Sequence, residues 1–157
     1  MTIETSLKPQ KASIADVPQI HGLVSHYAQQ GDLLFRPLGE IYETLRDFFV
    51  FREDGKVVAC GALHIYWEDL AEVKSLAVAS DMQGRGLGQR IVGACLAEAQ
   101  SLGIPAVFAL TLRPGFFEKL GFQRVDLMDL PRKVFHECLR CSKIAHCNEI
   151  AVIRRLG

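Results

Sequence analysis

Three glycines in five residues, Gly84, Gly86 and Gly88, stand where an apolar, strand-like run hands over to a long amphipathic one. A helix start leaves its first backbone N–H groups without intrahelical partners and carries the positive end of the helix dipole. Glycine lets an oxygen approach those groups with no Cβ in the way. A phosphate satisfies both conditions, and Arg85 adds a guanidinium whose fork suits the same group. The chemistry admitted by this spacing is anion binding on bare backbone.

Two familiar phosphate cradles fail on the residues present. A P-loop closes on Gly-Lys-Ser/Thr, whereas Gly88 is followed here by Gln89 and Arg90. A dinucleotide fold needs GxGxxG, and the residue three after Gly86 is Gln89. What remains is Gln83-x-x-Gly86-x-Gly88 between a strand and a helix.

The surrounding elements must position that loop. A short strand is expected near Leu7 to Lys11, and "SIADVPQIHGLVSHYAQQG" carries Ile14, Val17, Ile20, Leu23, Val24 and Tyr27 at helical spacing, with Asp16 as N-cap, Pro18 in the first turn and Gly31 as the stop. A second short helix follows Pro37 through Ile41 and Leu45. Then "DFFVFRE", "KVVACGALHIYW" and "AEVKSLAVA" read as strands joined by short turns, an antiparallel meander. A helix over about Gly86 to Leu102 ends at Gly103, and the strand "IPAVFALTL" after it implies a parallel crossover. A short helix in "PGFFEKLGF", a strand "FQRVDLM", a helix in "PRKVFHECLRCSK" and a last strand "NEIAVIRRL" complete the order. The expected fold class is α+β: a mixed, mostly antiparallel sheet flanked by helices, with one parallel crossover.

The chain of 157 residues is the size of one domain, so residues 1–157 are expected to form one. Eighteen basic residues balance eighteen acidic ones, which gives no general affinity for nucleic acid. No apolar run reaches the roughly 18 to 20 residues that span a bilayer, and "MTIETSLKPQKAS" lacks the apolar centre of a signal peptide. A cytoplasmic protein with no membrane partner is expected. Five cysteines, an odd number, fit reduced thiols.

"AEVKSLAVASDMQGRGLGQ" resembles the central strand and coenzyme A pyrophosphate loop of the GNAT family of N-acetyltransferases, and "FFEKLGF" resembles its late helix and strand. The resemblance covers nearly the whole chain and implies the GNAT fold with acetyl-CoA as co-substrate. It implies that the pantetheine arm bonds the backbone of Leu76 and Val78 like an added strand, with Phe117 also at the cofactor. The pyrophosphate would sit by Gln83 and Gly84 on the amides of Arg85, Gly86, Leu87 and Gly88. An amide at Leu76 or Ala77 would stabilise the oxyanion of acyl transfer. Glu72, four residues before Leu76 on the same strand, is the candidate general base, acting through water. Many members have a tyrosine in the late helix to protonate the departing thiolate. Here that position is Phe117, which puts a tyrosine acid in doubt.

"LTLRPGFFEKLGFQRVDLMDLP", "LRCSKI" and "QQGDLLFRP" further resemble the acetyltransferase domain of bacterial N-acetylglutamate synthases, which implies L-glutamate as acceptor and a place in arginine biosynthesis. Two carboxylates buried without cations would cost several kcal/mol. Arg36 and Arg140 match basic positions of those synthases, Ser142 adds a donor, and Lys74 follows from strand alternation, two residues from both Glu72 and Leu76. Arg113 could serve either substrate. The longer synthases carry an amino-acid-kinase-like domain for which 157 residues leave no room, so arginine feedback through it is not expected. A homodimer is compatible with this reading.

Two rivals stay open. One is a GNAT enzyme for another small amine or a protein N-terminus. The other is a non-catalytic zinc or interaction module on His136, Cys138, Cys141, His146 and Cys147. The second half of that cluster lacks conventional spacing, and Cys138 and Cys141 fall three apart on an expected helix, where a buried face is the ordinary explanation. No metal is therefore assigned. His21, His26 and His64 have no partners at catalytic spacing and read as structural.

Overall fold

The computed structural model describes residues 8–130 and 149–156. In chain order these are β1 (Gln10–Lys11), α1 (Val17–Gln29), α2 (Leu38–Glu43), β2 (Phe48–Glu53), β3 (Lys56–Trp67), β4 (Leu70–Val78), α3 (Leu87–Ser101), β5 (Ala106–Thr111), α4 (Pro114–Glu118), β6 (Gln123–Val125) and β7 (Ile150–Arg155). The strands hydrogen-bond in the order β1-β2-β3-β4-β5-β7-β6. β4 and β5 are parallel, while β1–β2, β2–β3, β5–β7 and β6–β7 are antiparallel. The 15-residue α3 supplies the crossover that a parallel pair requires. This is the expected mixed α+β sheet. The expected helix over 131–143 lies outside the described residues. Among the described residues no helix is long and apolar enough to cross a membrane.

The described residues fall into two compact units, one of residues 8–64 and 73–98 and one of 65–72, 99–130 and 149–156. In the first, α1 presents Val17, Ile20 and Val24 on one stripe, each fully buried against Ile41, Phe48, Val50, Val57, Cys60 and Ala62. Each such side chain contributes about 1.5–3 kcal/mol by leaving water. Gly31, at φ +81, follows the helix end. Asp16 precedes α1 as expected, but its side chain does not cap it. The carboxylate instead accepts from the Ser13 amide at 2.7 Å and from Arg52 Nε at 3.0 Å and Nη2 at 2.5 Å. The Arg52 hydrogen bond holds the Asp16 carboxyl below its ordinary pKa, against the opposing effect of burial.

The β2–β3 turn has positive φ at Asp54 and Gly55, the requirement of a tight hairpin matched to strand twist. Gly61 of β3 marks where α3 comes closest. A Cβ there would lie 2.5 Å from Ile91 Cγ2 and 3.1 Å from Leu76 Cδ1, so only glycine admits the helix at this separation.

In the second unit Leu70, Phe108, Leu130, Ala151 and Ile153 form the core. β7 pairs with both β5 and β6. β6 is shorter than the expected 122–128 run. The Asp126 carboxylate accepts from the Met128 amide at 3.0 Å and turns the chain into a 3-10 turn, Leu127–Asp129.

Candidate active site

The glycine loop is built within the first unit. After β4 the Ala79 amide donates to Val58 O at 2.8 Å, and a 3-10 turn over Ser80–Met82 buries Met82. Gly84 and Gly86 then take φ values of +81 and +77, with nothing within 4 Å of where a Cβ would be. Their glycine character is required by the left-handed backbone rather than by crowding. α3 begins at Leu87, and the Arg90 amide reaches back to Gly86 O at 3.1 Å. The amides of Leu87, Gly88 and Gln89 precede that bond, at the positive end of the helix dipole. Leu87 itself is buried, while Gln83, Gly84 and Arg85 are exposed, so the loop opens to solvent above an anchored helix start. The donor set fits a diphosphate.

Sequence reasoning missed the residue that braces this loop. Tyr27, on α1, donates its hydroxyl to Val78 O at 2.5 Å and accepts from Gln83 Nε2 at 2.7 Å. Gln83 Nε2 also reaches Val78 O at 3.4 Å. The helical spacing of Tyr27 shows only its ring in an apolar pattern; its partners lie 51 and 56 residues away.

β4 carries one left-handed residue in its middle. Ser75, buried, has φ +57, a left-handed conformation that a serine rarely adopts. The Cys60 thiol donates to the Ser75 carbonyl at 3.5 Å. Burial pushes that thiol up to about 12, with a smaller opposing effect from a hydrogen bond with the Ala77 amide. Ala77 N–H therefore faces Cys60, and Leu76 carries the other candidate amide. Lys74 and Leu76 flank the left-handed residue and are both half-buried, while Val73, Ser75 and Ala77 are buried. Pairing of β4 with β5 comprises Ala71↔Val107 and Glu72↔Phe108, and β4 runs on to Val78.

Within the second unit, Glu72 is 5% exposed and accepts from the Tyr66 hydroxyl at 2.8 Å. The Tyr66 ring packs on Phe108 with centroids 5.7 Å apart. Phe117 is buried between Phe116 and Phe122, edge-on to each at 5.1 Å. Arg113 is exposed ahead of α4, its amide donating to Thr111 Oγ1 at 2.8 Å.

Arg36, in the first unit, has a largely buried side chain and pairs with Glu40 at 3.3 Å. Lys74 is half-buried on β4. Arg140 and Ser142 lie outside the described residues, as do His136, Cys138, Cys141, His146 and Cys147. The other histidines have ordinary surroundings: His64 Nδ1 lies 2.9 Å from Asp47 Oδ2, His26 lies 3.3 Å from Gln30, and His21 is edge-on to Phe35.

Comparison with known proteins bears on this arrangement. The family model described as the acetyltransferase (GNAT) family matches residues 20–122. An uncharacterised N-acetyltransferase of Chlorobaculum tepidum is 35% identical over 147 residues, 94% of this chain and 95% of its own. An amino-acid acetyltransferase of Mycobacterium tuberculosis is 39% identical over 134 residues, 83% of this chain and 76% of its own. The solved N-acetylglutamate synthase of Neisseria gonorrhoeae, complexed with coenzyme A and N-acetyl-glutamate, superposes with a TM-score of 0.86 at 27% identity over 96% of this chain. This chain spans 35% of that synthase.

Proposed function

The chain belongs to the GNAT family of acetyl-CoA-dependent N-acetyltransferases, and from that premise we propose that it moves the acetyl group directly to the α-amine of L-glutamate. That product would place it in arginine biosynthesis. One observation carries the choice of acceptor: nearly the whole chain superposes on the part of a synthase crystallised with N-acetyl-glutamate.

Acetyl-CoA supplies an activated thioester; this chain's residues hold it and manage charge. The amides of Arg85, Gly86, Leu87 and Gly88 receive the pyrophosphate at the start of α3, and the Arg85 side chain adds a cation. The backbone of β4 beyond Glu72, at Leu76 and Val78, takes the pantetheine arm as an added strand. The Leu76 amide stabilises the negative charge that gathers on the acetyl oxygen.

Glu72 accepts the proton that the amine must lose, through a water molecule, and Tyr66 holds the carboxylate in place. Phe117 has no hydroxyl, so the thiolate leaves unassisted or takes its proton from water. Arg36, Lys74 and Arg140, with Ser142, pair with the two glutamate carboxylates, and Arg113 serves either substrate. The Glu40 partner of Arg36 is the more exposed of the two at 42%, and a bidentate substrate carboxylate is the better match for the guanidinium. A thiol-release assay with acetyl-CoA across acceptor amines tests this reading. Equal rates on glutamate, glutamine, aspartate and spermidine would remove glutamate as the acceptor.

A further inference from the structure

We propose that Tyr27 is a positioning residue for the pyrophosphate loop, acting through Val78 and Gln83 to hold the loop amides where they receive coenzyme A. Helix α1 is a firm platform for it, because Val17, Ile20 and Val24 on the same helix are fully buried. Tyr27 stands where that helix ends: its carbonyl accepts from the Gln30 and Asp32 amides at 3.2 and 3.0 Å. From this fixed point its hydroxyl makes two bonds to the segment that leads into the loop, donating to Val78 O and accepting from Gln83 Nε2.

The position of those bonds gives them their importance. Val58 O holds Ala79, buried Met82 holds the following turn, and Tyr27 holds Gln83. Immediately afterwards come Gly84 and Gly86, two left-handed residues whose missing side chains leave the backbone its widest freedom. The direction in which the loop amides point is therefore set upstream, by the Gln83 tether, and downstream, by the start of α3. Gln83 takes a different role from that of an anion ligand: its amide N–H donors are already directed at Tyr27 and Val78.

The carbonyl of Val78 makes the proposal sharply testable. It accepts from Tyr27 and, at longer range, from Gln83. If Tyr27 merely occupied an acceptor that coenzyme A needs, its removal would tighten cofactor binding; if it braces the loop, its removal loosens it.

Calorimetric titration of coenzyme A into Tyr27→Phe, with no acceptor amine present, makes the test independent of the glutamate assignment. The expected result is a roughly tenfold weaker Kd, the scale of one lost hydrogen bond. In turnover the KM for acetyl-CoA rises by a similar factor while that of the amine stays within about twofold. S-acetyl-pantetheine, which lacks the pyrophosphate, is used equally well by both proteins. Gln83→Ala, a change at an exposed side chain that leaves the core intact, gives the same signature, and the double variant loses less than the product of the single losses. Unchanged or tighter coenzyme A binding in both single variants, or an equal loss with acetyl-pantetheine, would overturn the proposal.

Discussion

The Tyr66 hydroxyl donates to Glu72 Oε1 at 2.8 Å, and the carboxylate it meets is 5% exposed. A buried carboxylate is costly without a donor, so the phenol fixes both where Glu72 points and how readily it is kept there. Glu72→Gln keeps the shape and removes the base. It is expected to lower kcat by about 10²–10⁴-fold, with coenzyme A affinity unchanged. Tyr66→Phe is expected to lower kcat by a smaller factor, roughly tenfold, because the base survives but loses its orienting bond. Pre-steady-state and steady-state rates, with the coenzyme A Kd measured alongside, check both.

Gly61 predicts a coupled packing effect. A Cβ at 2.5 Å from Ile91 Cγ2 forces α3 away from β3, so Gly61→Ala should destabilise the fold by about 1–3 kcal/mol. Because α3 carries the loop amides at its start, acetyl-CoA binding should weaken as well. Ile91→Ala opens a cavity on its own, yet the double variant should lose less than the sum of the two single changes. Urea titrations of the four proteins measure the coupling.

A helix followed by a strand, each read from periodicity, was enough to indicate the parallel pair of β4 and β5, because the crossover length leaves little choice. The Gln83 to Gly88 loop was legible for a similar reason: the demand for glycine at a helix start is local. Insertion of β7 between β5 and β6 was not, since strand order is a long-range pairing that no window of sequence contains. Ser75 was not legible either. Nothing about a serine signals φ +57. Tyr27 and Tyr66 were hidden differently, their rings fitting the apolar patterns of α1 and β3 while their hydroxyls found partners elsewhere. The one available signal for Tyr66 was the tight Glu68–Asp69 turn, which brings it back beside Glu72.

The Asp16–Arg52 pair predicts an acid-sensitive increment of stability. Arg52 lowers the Asp16 carboxyl below its ordinary value of 3.8. A depressed carboxyl stabilises the fold above the unfolded value, and that contribution is lost as the pH falls through the lower folded value. Arg52→Met should therefore cost about 2–4 kcal/mol at pH 7, and the gap from the parent protein should narrow below about pH 3.8. Thermal melts from pH 7 down to pH 3 follow it. A constant gap would remove the pair as its source.

Cys60 and Cys95 should behave as packing residues. Burial pushes each thiol up to about 12, so neither carries thiolate near neutral pH. Iodoacetamide at pH 8 should leave the Cys60 and Cys95 peptides unmodified in the native protein and label both in denaturant, as read by peptide mass mapping.

The central claim is transfer of acetyl to glutamate, with cations of this chain recognising its carboxylates. The direct measurement is thiol release from acetyl-CoA with glutamate, glutamine, aspartate or spermidine as acceptor, repeated for Arg36→Ala and Arg140→Ala. The account predicts the highest kcat/KM on glutamate, and in both variants a glutamate KM raised by about tenfold or more while the acetyl-CoA KM stays within about twofold. No preference for glutamate, or equal effects of both substitutions on the two substrates, would contradict it.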